Sequence, residues 1–455
     1  MFKSYLFKSD KKSMSKEVLF NFDKKTAKDF ALLNGKIILP NEDRTIEGGL
    51  LIKDKIIYDF GEHIKENNIS ENFEKIDCNN LLVCPGLVDM RAQIREPGFE
   101  HQETMKSISK SATSGGITSL VCMPNTFPVI DQPALIQSIQ RKAREVALTK
   151  IFCTGCITRD LLGKEICELQ LMHESGALGF TDAIKSVSNA RVMKRAFTYV
   201  KSFDGLIMQH PEENNLSSDG VMNEGEVSTR LGLKGIPYYA EAMIIERDLW
   251  IVRETGARYH INHVSTSVAV EIIRKAKKEG LNVTCDTAPP YFMLNEMAIE
   301  NYRTFAKLSP PLRTESDRLA IIQGLQDGTI DAIVSDHTPQ DQDAKRLPFN
   351  QAEYGAVGLE TLLPLTLSLV KNGSLKIESV LSLVTNKPAN ILGLKSGVIG
   401  KGLDADLIVL DENKPWKIEA DNFLSKSKNT PFDGLLVEGK NLMTFIKGRL
   451  VFKCL

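Results

Sequence analysis

Short apolar runs and amphipathic runs alternate along most of this 455-residue chain. From about residue 82 onward, runs rich in β-branched residues are followed by runs whose apolar positions recur with helical spacing. This alternation is typical of βα units around a parallel sheet. Eight strands are predicted, at residues 82–89, 119–123, 151–157, 178–181, 206–210, 258–264, 282–286 and 330–336. The predicted helices include residues 133–148, 241–256, 269–280 and 316–328. The pattern predicts an α/β fold with a (β/α)8 TIM-like barrel over residues 85–395.

The segments on either side of the barrel have a different pattern. Residues 31–84 and 396–455 contain short strand-like runs bounded by turns, at 49–52, 55–58, 405–410 and 443–447. We expect the two segments to form one small β-sandwich domain. Residues 1–30 are rich in lysine but interrupted by acids, and no apolar signal core follows them. We expect a disordered extension there, with Met14 as an alternative start.

Composition excludes several classes of function. The net charge is −1, so nothing in the overall charge favours nucleic acid or an acidic membrane as a partner. No apolar stretch approaches the roughly 20 residues that span a bilayer. The eight cysteines are scattered, mostly inside apolar runs, which favours a reducing cytoplasm. Cys153 and Cys156 form a Cys-x-x-Cys pair that could suggest a redox or zinc site, but burial in the core is the stronger interpretation because no second pair accompanies them.

Barrel enzymes carry their chemistry at the carboxyl ends of the strands, so polar residues there are the candidate site. The sequence places such residues at the ends of six predicted strands, namely Arg91, Gln93 and Arg95 in strand one, Asn125 in strand two, Asp182 in strand four, His210 in strand five, His263 in strand six and Asp336 in strand eight. Two histidines and an aspartate at three separate strand ends favour metal binding over isolated hydrogen bonding.

The motifs around these residues resemble class I dihydroorotases in type and order. The matching runs are Arg95-Glu96-Pro97-Gly98, Gly115-Gly116-Ile117-Thr118, Cys122-Met123-Pro124-Asn125-Thr126, Gly220-Val221-Met222-Asn223-Glu224-Gly225, His263-Val264-Ser265-Thr266, Ser309-Pro310-Pro311-Leu312-Arg313, Asp327-Gly328-Thr329-Ile330-Asp331 and Gly358-Leu359-Glu360-Thr361. The resemblance implies an amidohydrolase barrel of de novo pyrimidine (UMP) biosynthesis. Such enzymes convert N-carbamoyl-L-aspartate reversibly to dihydroorotate with zinc-activated water.

The resemblance also assigns roles to residues of this chain. His210 and His263 match ligands of the second metal, and Asp336 matches the metal-bound catalytic base. Arg95 and Asn125 match groups that hold the substrate carboxylate, and a guanidinium suits that task because its donors pair with two oxygens. Asp182 is a further predicted metal ligand. Gln340, in place of a family histidine that holds the substrate, is the third predicted substrate contact.

Departures from the family pattern cluster around the same site. The family's first strand reads Asp-x-His-x-His, and here Arg91 and Gln93 occupy the two histidine positions. Arginine offers no lone pair and a glutamine amide is a poor zinc ligand. The family's Phe-Thr-Asp-Asp-Gly reads Phe-Thr-Asp-Ala-Ile from residue 180, and its Pro-His-His reads Pro289-Pro290-Tyr291. We therefore predict that the first metal is lost and that the chain holds one zinc ion, on His210, His263 and Asp182 or Asp336, or none.

Two hypotheses follow from the retained and lost residues. The first is a dihydroorotase that works with one metal, and the second is a non-catalytic dihydroorotase-like subunit that scaffolds aspartate carbamoyltransferase. A related cyclic amidohydrolase, an allantoinase or hydantoinase, matches Arg95-Glu96-Pro97-Gly98 and Cys122 to Asn125 less closely. We expect a homo-oligomer or a mixed complex, with no nucleic acid and no membrane. Lys185 is expected to face solvent, the alternative being a carboxylated lysine that replaces a lost ligand.

Overall fold

The computed structural model describes residues 18–23 and 28–454. Its strands, in chain order, are β1 (Val18–Phe20), β2 (Phe30–Leu39), β3 (Arg44–Lys53), β4 (Ile56–Gly61), β5 (Glu74–Asp77), β6 (Leu82–Pro85), β7 (Leu87–Ala92), β8 (Ile117–Cys122), β9 (Lys150–Gly155), β10 (Ala177–Phe180), β11 (Leu206–Gln209), β12 (Met222–Asn223), β13 (Gly235–Ile236), β14 (Arg258–Ile261), β15 (Val283–Thr287), β16 (Ala332–Ile333), β17 (Leu407–Lys417), β18 (Leu436–Ile446) and β19 (Arg449–Cys454). Its α-helices are α1 (Met105–Ser114), α2 (Pro133–Val146), α3 (Leu169–Glu174), α4 (Ala190–Lys201), α5 (Asn214–Ser217), α6 (Glu226–Leu231), α7 (Tyr239–Thr255), α8 (Ser267–Lys278), α9 (Pro289–Met293), α10 (Glu315–Gln326), α11 (Gln342–Arg346), α12 (Leu362–Lys371), α13 (Ile377–Ser382) and α14 (Asn386–Leu392).

The predicted (β/α)8 barrel is confirmed. Eight strands form one parallel sheet in the order β16-β15-β14-β11-β10-β9-β8-β7. The first and last barrel segments meet where Ala92 pairs with His337 in a parallel bridge, and the Gln93 amide donates to the His337 carbonyl at 2.8 Å. This contact brings strand one next to strand eight, so their polar ends share one side of the barrel mouth.

Helix α4 illustrates how apolar periodicity indicates a helix that packs on the barrel. In α4, Val192, Met193, Ala196, Phe197 and Val200 are all buried, at the spacing that places them on one helix face. Asn189 precedes this helix, and its side chain accepts from the first-turn amides, which would otherwise lack partners. Local sequence and barrel packing therefore agree over this segment.

Both ends of the chain contribute to a separate nine-stranded sheet. Its order is β1-β19-β18-β17-β6-β2-β3-β4, with β5 paired to β2. Within the predicted extension of residues 1–30, Val18–Phe20 form a strand that pairs with β19, while residues 1–17 and 24–27 lie outside the described residues. The limits predicted for the two domains stay predictions.

One predicted strand was wrong in its extent. The run 82–89 is divided at Gly86 into β6, in the nine-stranded sheet, and β7, in the barrel. A Cβ atom at Gly86 would lie 2.2 Å from the Thr118 methyl, so only glycine allows the backbone to pass between the two sheets this closely. Apolar periodicity could not locate this division, because both halves of the run are buried.

All eight cysteines are free thiols, and Cys153 and Cys156 are buried, in agreement with the core interpretation. Among the helices of residues 18–23 and 28–454, none is both long and apolar enough to cross a membrane.

A partly buried ion cluster joins the barrel to the nine-stranded sheet. The Lys150 ammonium at the start of β9 lies 2.8 Å from Asp404 and 2.5 Å from Asp406, and Asp406 is buried. Burying a carboxylate is costly unless a cation compensates for it. Lys150 therefore stabilises the contact between the two parts of the fold.

We predict that Lys150→Met lowers the free energy of unfolding by about 3 kcal/mol, because it leaves Asp406 buried without its cation. The measurement is urea denaturation followed by circular dichroism. Lys447→Met is the matched control, since its exposed ammonium lies 3.9 Å from Asp404, and this change should cost less than about 1 kcal/mol. Equal losses in the two variants would contradict the assignment.

Candidate active site

The barrel brings the predicted site residues to one rim. Arg91 lies in β7, His210 directly follows β11, His263 comes two residues after β14, and Asp336 comes three residues after β16. Parallel barrel strands all end on the same face, so side chains from distant sequence positions converge there. Asp182 follows β10 on the same face.

The backbone at this rim adopts an unusual conformation. Arg95, Ala183, His263 and Asp336 have positive φ angles of 59°, 59°, 35° and 48°. Residues other than glycine rarely occupy this region, and such strain persists only where the surrounding structure imposes it. For His263 the constraint is visible, because its amide donates to the buried Asp286 carboxylate at 2.6 Å. The strand ends are therefore held rigidly, in the manner of a functional site.

A buried ion pair occupies the centre of the site. The Arg91 Nε atom donates to Asp336 Oδ1 at 2.8 Å, and the Arg91 side chain is only 2% exposed. Its Nη1 group also lies 3.4 Å from the Met123 sulfur. Burial raises the pKa of Asp336, while the positive charge of Arg91 opposes that rise. Arg91, which stands where the family pattern has a histidine, thus pairs its positive charge with the carboxylate of Asp336, the predicted catalytic base.

His210 and His263 face each other beside this ion pair. Their ring centroids are 4.8 Å apart, and His210 Nε2 lies 3.5 Å from the Ser309 hydroxyl. Burial, with a further contribution from the charge of Arg91, lowers the pKa of His210 to about 3 and lowers that of His263 as well. Both rings are therefore neutral near pH 7. His210 Nδ1 and both ring nitrogens of His263 are buried without a hydrogen-bond partner in the described part of the chain.

Asp182 uses its oxygens for a different contact. Oδ1 accepts from the amides of Ile157 and Thr158, both at 2.9 Å, and Oδ2 accepts from the Thr158 hydroxyl at 2.5 Å. Burial raises the pKa of Asp182 to about 6 despite these hydrogen bonds, which lower it. In this arrangement the carboxylate fixes the turn after β9. The metal-ligand role assigned to it stays a prediction.

The predicted substrate contacts lie on the other side of the mouth. Asn125 donates to Gln93 at 3.1 Å, and Gln93 donates to the Thr338 hydroxyl at 3.2 Å. Arg95 donates through Nε to the Pro339 carbonyl at 3.1 Å, and Gln340 donates to the Tyr354 carbonyl at 2.9 Å. Gln93 and Arg95 therefore contact the segment 338–340, to which Gln340 belongs, and Asn125 reaches it through Gln93. Gln93, at a predicted degenerate ligand position, links Asn125 to Thr338 in the segment that follows β16.

These residues do not fit a zinc ion as they are arranged. Over residues 18–23 and 28–454, no three or more histidine, cysteine, aspartate or glutamate side chains are grouped so that they could hold a metal. His210 and His263 supply two neutral donors, but Asp336 is paired with Arg91 and Asp182 with the turn after β9. Zinc sites in proteins have at least three protein ligands. Lys185 is exposed, as predicted, and supplies no replacement.

The structure adds residues to which the sequence assigned no role. Arg313 is buried, and its Nη1 group donates to Asn223 at 2.9 Å and to the Ile236 carbonyl at 2.8 Å. Glu212 lies 4.0 Å from His210. Arg313 and Asn223 belong to two motifs that were identified as family-like, so the sequence marked them. Only the fold shows that they touch.

The chain is similar throughout to known dihydroorotases. A family model described as Dihydro-orotase-like matches residues 80–269. The dihydroorotase of Anaplasma phagocytophilum is 44% identical over 93% of this chain and 95% of its own length, and that of Geobacter sp. (strain M21) is 42% identical over 92% and 98%. Among solved structures, the L-hydantoinase of Arthrobacter aurescens superposes with a TM-score of 0.83, at 26% identity over 94% of this chain and 96% of its own.

We predict that Arg91→Met lowers the free energy of unfolding by about 3 kcal/mol in the presence of a chelator, because Asp336 loses its buried partner. Arg91→Met combined with Asp336→Asn should recover most of that loss, since no uncompensated charge remains. The measurement is a double-mutant cycle by urea denaturation. Additive effects of the two substitutions would show that the ion pair carries no coupling energy.

Proposed function

Because this chain belongs to the dihydroorotase family of cyclic amidohydrolases, we propose that it is a member in which an arginine has replaced the metal chemistry. It keeps the barrel fold of that family. In our proposal it does not hydrolyse dihydroorotate and acts as a structural subunit. The observation that carries the proposal is the buried pair of Arg91 and Asp336 at the centre of the mouth.

The repulsion between Arg91 and a metal ion supports this proposal. At an effective dielectric constant of about 20, two unit charges about 4 Å apart interact with roughly 4 kcal/mol. A divalent ion next to Arg91 would meet about twice that repulsion. Arginine cannot lose its proton to relieve it. Asp336 is the residue that would serve as general base. A carboxylate that is paired with a guanidinium is a weaker proton acceptor, so Asp336 is also a weaker base.

The proposed partner is aspartate carbamoyltransferase, and the proposed setting is pyrimidine (UMP) biosynthesis in the cytoplasm. Both proposals rest on family membership, and eight free thiols fit a reducing compartment. A barrel that had lost its chemistry without another role would not need its rim. Here Arg95, His263 and Asp336 at the rim hold positive φ angles, a strain that the surrounding structure maintains.

One observation favours a second candidate, a dihydroorotase that uses a single zinc ion. Three buried ring nitrogens of His210 and His263 have no hydrogen-bond partner within the described ranges, and unpaired buried polar atoms are rare in proteins. In that candidate His210, His263 and Asp182 hold the ion and Asp336 is the base. Arg95, Asn125 and Gln340 hold dihydroorotate or N-carbamoyl-L-aspartate. It requires Arg91 to leave Asp336.

The test measures dihydroorotate hydrolysis by the purified, zinc-supplemented protein and the metal content of the same sample. We expect no turnover above the uncatalysed rate and no stoichiometric zinc. Turnover with about one zinc per chain, abolished by His263→Ala, would overturn the proposal and establish the second candidate. Activity on hydantoin or allantoin but not on dihydroorotate would instead identify a different cyclic amidohydrolase.

A variant designed to gain metal binding tests directly whether Arg91 excludes the metal. We predict that Arg91→His combined with Gln93→His takes up zinc, because it removes the cation, frees Asp336 and adds two imidazoles beside His210 and His263. The measurement is metal content after dialysis against zinc, with the same double variant carrying His263→Ala as the control. Equal zinc content in the wild-type protein and the double variant would show that Arg91 does not exclude the metal.

The structural role has its own experiment. The protein is co-expressed with the aspartate carbamoyltransferase of the same organism and the mixture is analysed by size-exclusion chromatography with light scattering. We expect one complex that contains both chains and survives His263→Ala. Separate elution at micromolar concentrations would reject the scaffold role and leave the result on catalysis unaffected.

A further inference from the structure

Asp286, near the end of β15, holds the backbone that carries His263. Its side-chain Oδ1 atom accepts from the His263 amide at 2.6 Å, and its carbonyl accepts from the Val264 amide at 2.9 Å. One residue of β15 thus receives two consecutive amides from the segment that follows β14. At His263 the acceptor is a side chain and not the carbonyl of a neighbouring strand, so the chain leaves the regular strand geometry at this residue.

The φ angle of His263 shows what this contact maintains. At 35° it lies in a region that residues other than glycine rarely adopt, and such a conformation persists only where neighbouring groups impose it. The imidazole supplies no such constraint, because neither of its nitrogens has a hydrogen-bond partner among residues 18–23 and 28–454. The ring contacts His210, at 4.8 Å between centroids. The hydrogen bond from the backbone to Asp286 is therefore what constrains the direction of the His263 ring.

A second histidine holds Asp286 in turn. His260 Nε2 lies 2.8 Å from Asp286 Oδ2, and His260 Nδ1 lies 2.8 Å from the Thr284 hydroxyl. A carboxylate only accepts, so in the neutral ring these partners assign the hydrogen to Nε2, and Nδ1 accepts from Thr284. The side chains of His260 and Asp286 are fully buried, so water does not compete for these hydrogen bonds.

The two oxygens of Asp286 therefore have separate tasks. Oδ2 is engaged by His260, which prevents rotation of the carboxylate, and Oδ1 is directed at the His263 amide. Hydrogen bonds to a carboxylate are about twice as strong as those between neutral groups. Groups behind a functional ring commonly set its orientation. Here the carboxylate acts through the backbone amide of the residue that carries the ring.

Other buried carboxylates near the mouth hold other positions. They act in pairs with backbone amides, namely Asp182 with Ile157 and Thr158, Asp89 with Arg91 and Ser335, and Glu241 with Ser265 and Thr266. Each of these contacts fixes a strand end or a turn, but it does so away from the two facing histidines. Asp286 is thus the carboxylate that acts on the ring pair itself.

We propose that Asp286, oriented by His260, is the positioning residue for the His263 imidazole. It sets that ring opposite His210, so the protein preorganises the ring pair and needs no metal to assemble it. This explains why two neutral rings without hydrogen-bond partners stay side by side in a site whose centre is occupied by a buried ion pair. The inference does not depend on whether the barrel turns over substrate, because it concerns the site before any ligand binds.

The first experiment records the ring-nitrogen NMR signals of the full-length protein with 15N-labelled histidine. His210→Gln, His260→Gln and His263→Gln assign the three signals. We expect Asp286→Ala to shift the ring signals of both His263 and His210, because the first ring loses its constraint and its contact with the second ring changes. Unchanged signals of both rings in a folded Asp286→Ala protein would overturn the proposal.

Two matched variants separate positioning from a general loss of stability. Asp406→Ala removes another buried carboxylate, at the contact between the barrel and the nine-stranded sheet. Thr287→Val removes a hydroxyl that donates to the Val264 carbonyl at 3.1 Å, next to the proposed contact. Both variants should leave the ring signals of the two facing histidines in place. A shift in either control as large as that in Asp286→Ala would show that these signals report general disturbance, and the proposal would be wrong.

Asp286→Asn tests the two oxygens separately and preserves the shape of the side chain. Its amide oxygen can still accept from the His263 amide, while its amide nitrogen must donate to His260 Nε2. His260 then has to carry its hydrogen on Nδ1, where the Thr284 hydroxyl can accept it. We expect the His260 signals to change to this other tautomer and those of His263 to stay at their wild-type positions. An unchanged His260 tautomer, or a displaced His263 signal, would contradict the assignment.

Discussion

The ion pair between Arg91 and Asp336 is the interaction on which the rest of the site depends. A guanidinium that is almost completely buried needs a carboxylate beside it, and Asp336 is held for that purpose 2.8 Å away. The same charge helps to keep His210 and His263 neutral, because a second cation nearby would be repelled. The two neutral rings lie side by side, with their centroids 4.8 Å apart. The charge of Arg91 in strand one thus acts on residues at the ends of three other strands.

The scaffold around this pair is held by contacts between strand one and strand eight. Asp89 accepts from the amide and hydroxyl of Ser335, and Gln93 bonds to the backbone of His337, so strand one and strand eight are still joined beside the site. Closure of the barrel depends on these contacts and on apolar packing, neither of which involves a metal. A barrel of this family can therefore hold Arg91 buried in its first strand.

The mouth and the outer layer of helices depend on different parts of the barrel. The mouth is polar, buried and strained, and its residues come from the carboxyl ends of the strands. The outer layer also carries exposed apolar side chains, such as Met243 and Trp250 of α7. A change of side chain at the mouth therefore need not alter the outer face of the barrel.

The sequence alone determined the barrel and the family, and these two predictions are confirmed. The site that it assigned to the strand ends stays a prediction. These predictions could be made because periodicity and ordered motifs are recognised from residues that are close together along the chain. It also marked Arg91 and Gln93 as departures, since the types of side chain that bind zinc are known. Only the tertiary structure decided where those side chains go. The pairing of Arg91 with Asp336, 245 positions away, the diversion of Asp182 to Thr158 and the division of one predicted strand at Gly86 all arise from contacts between distant segments. No pattern within a single element encodes which of several buried partners a charge will meet, because that choice is made by packing in three dimensions.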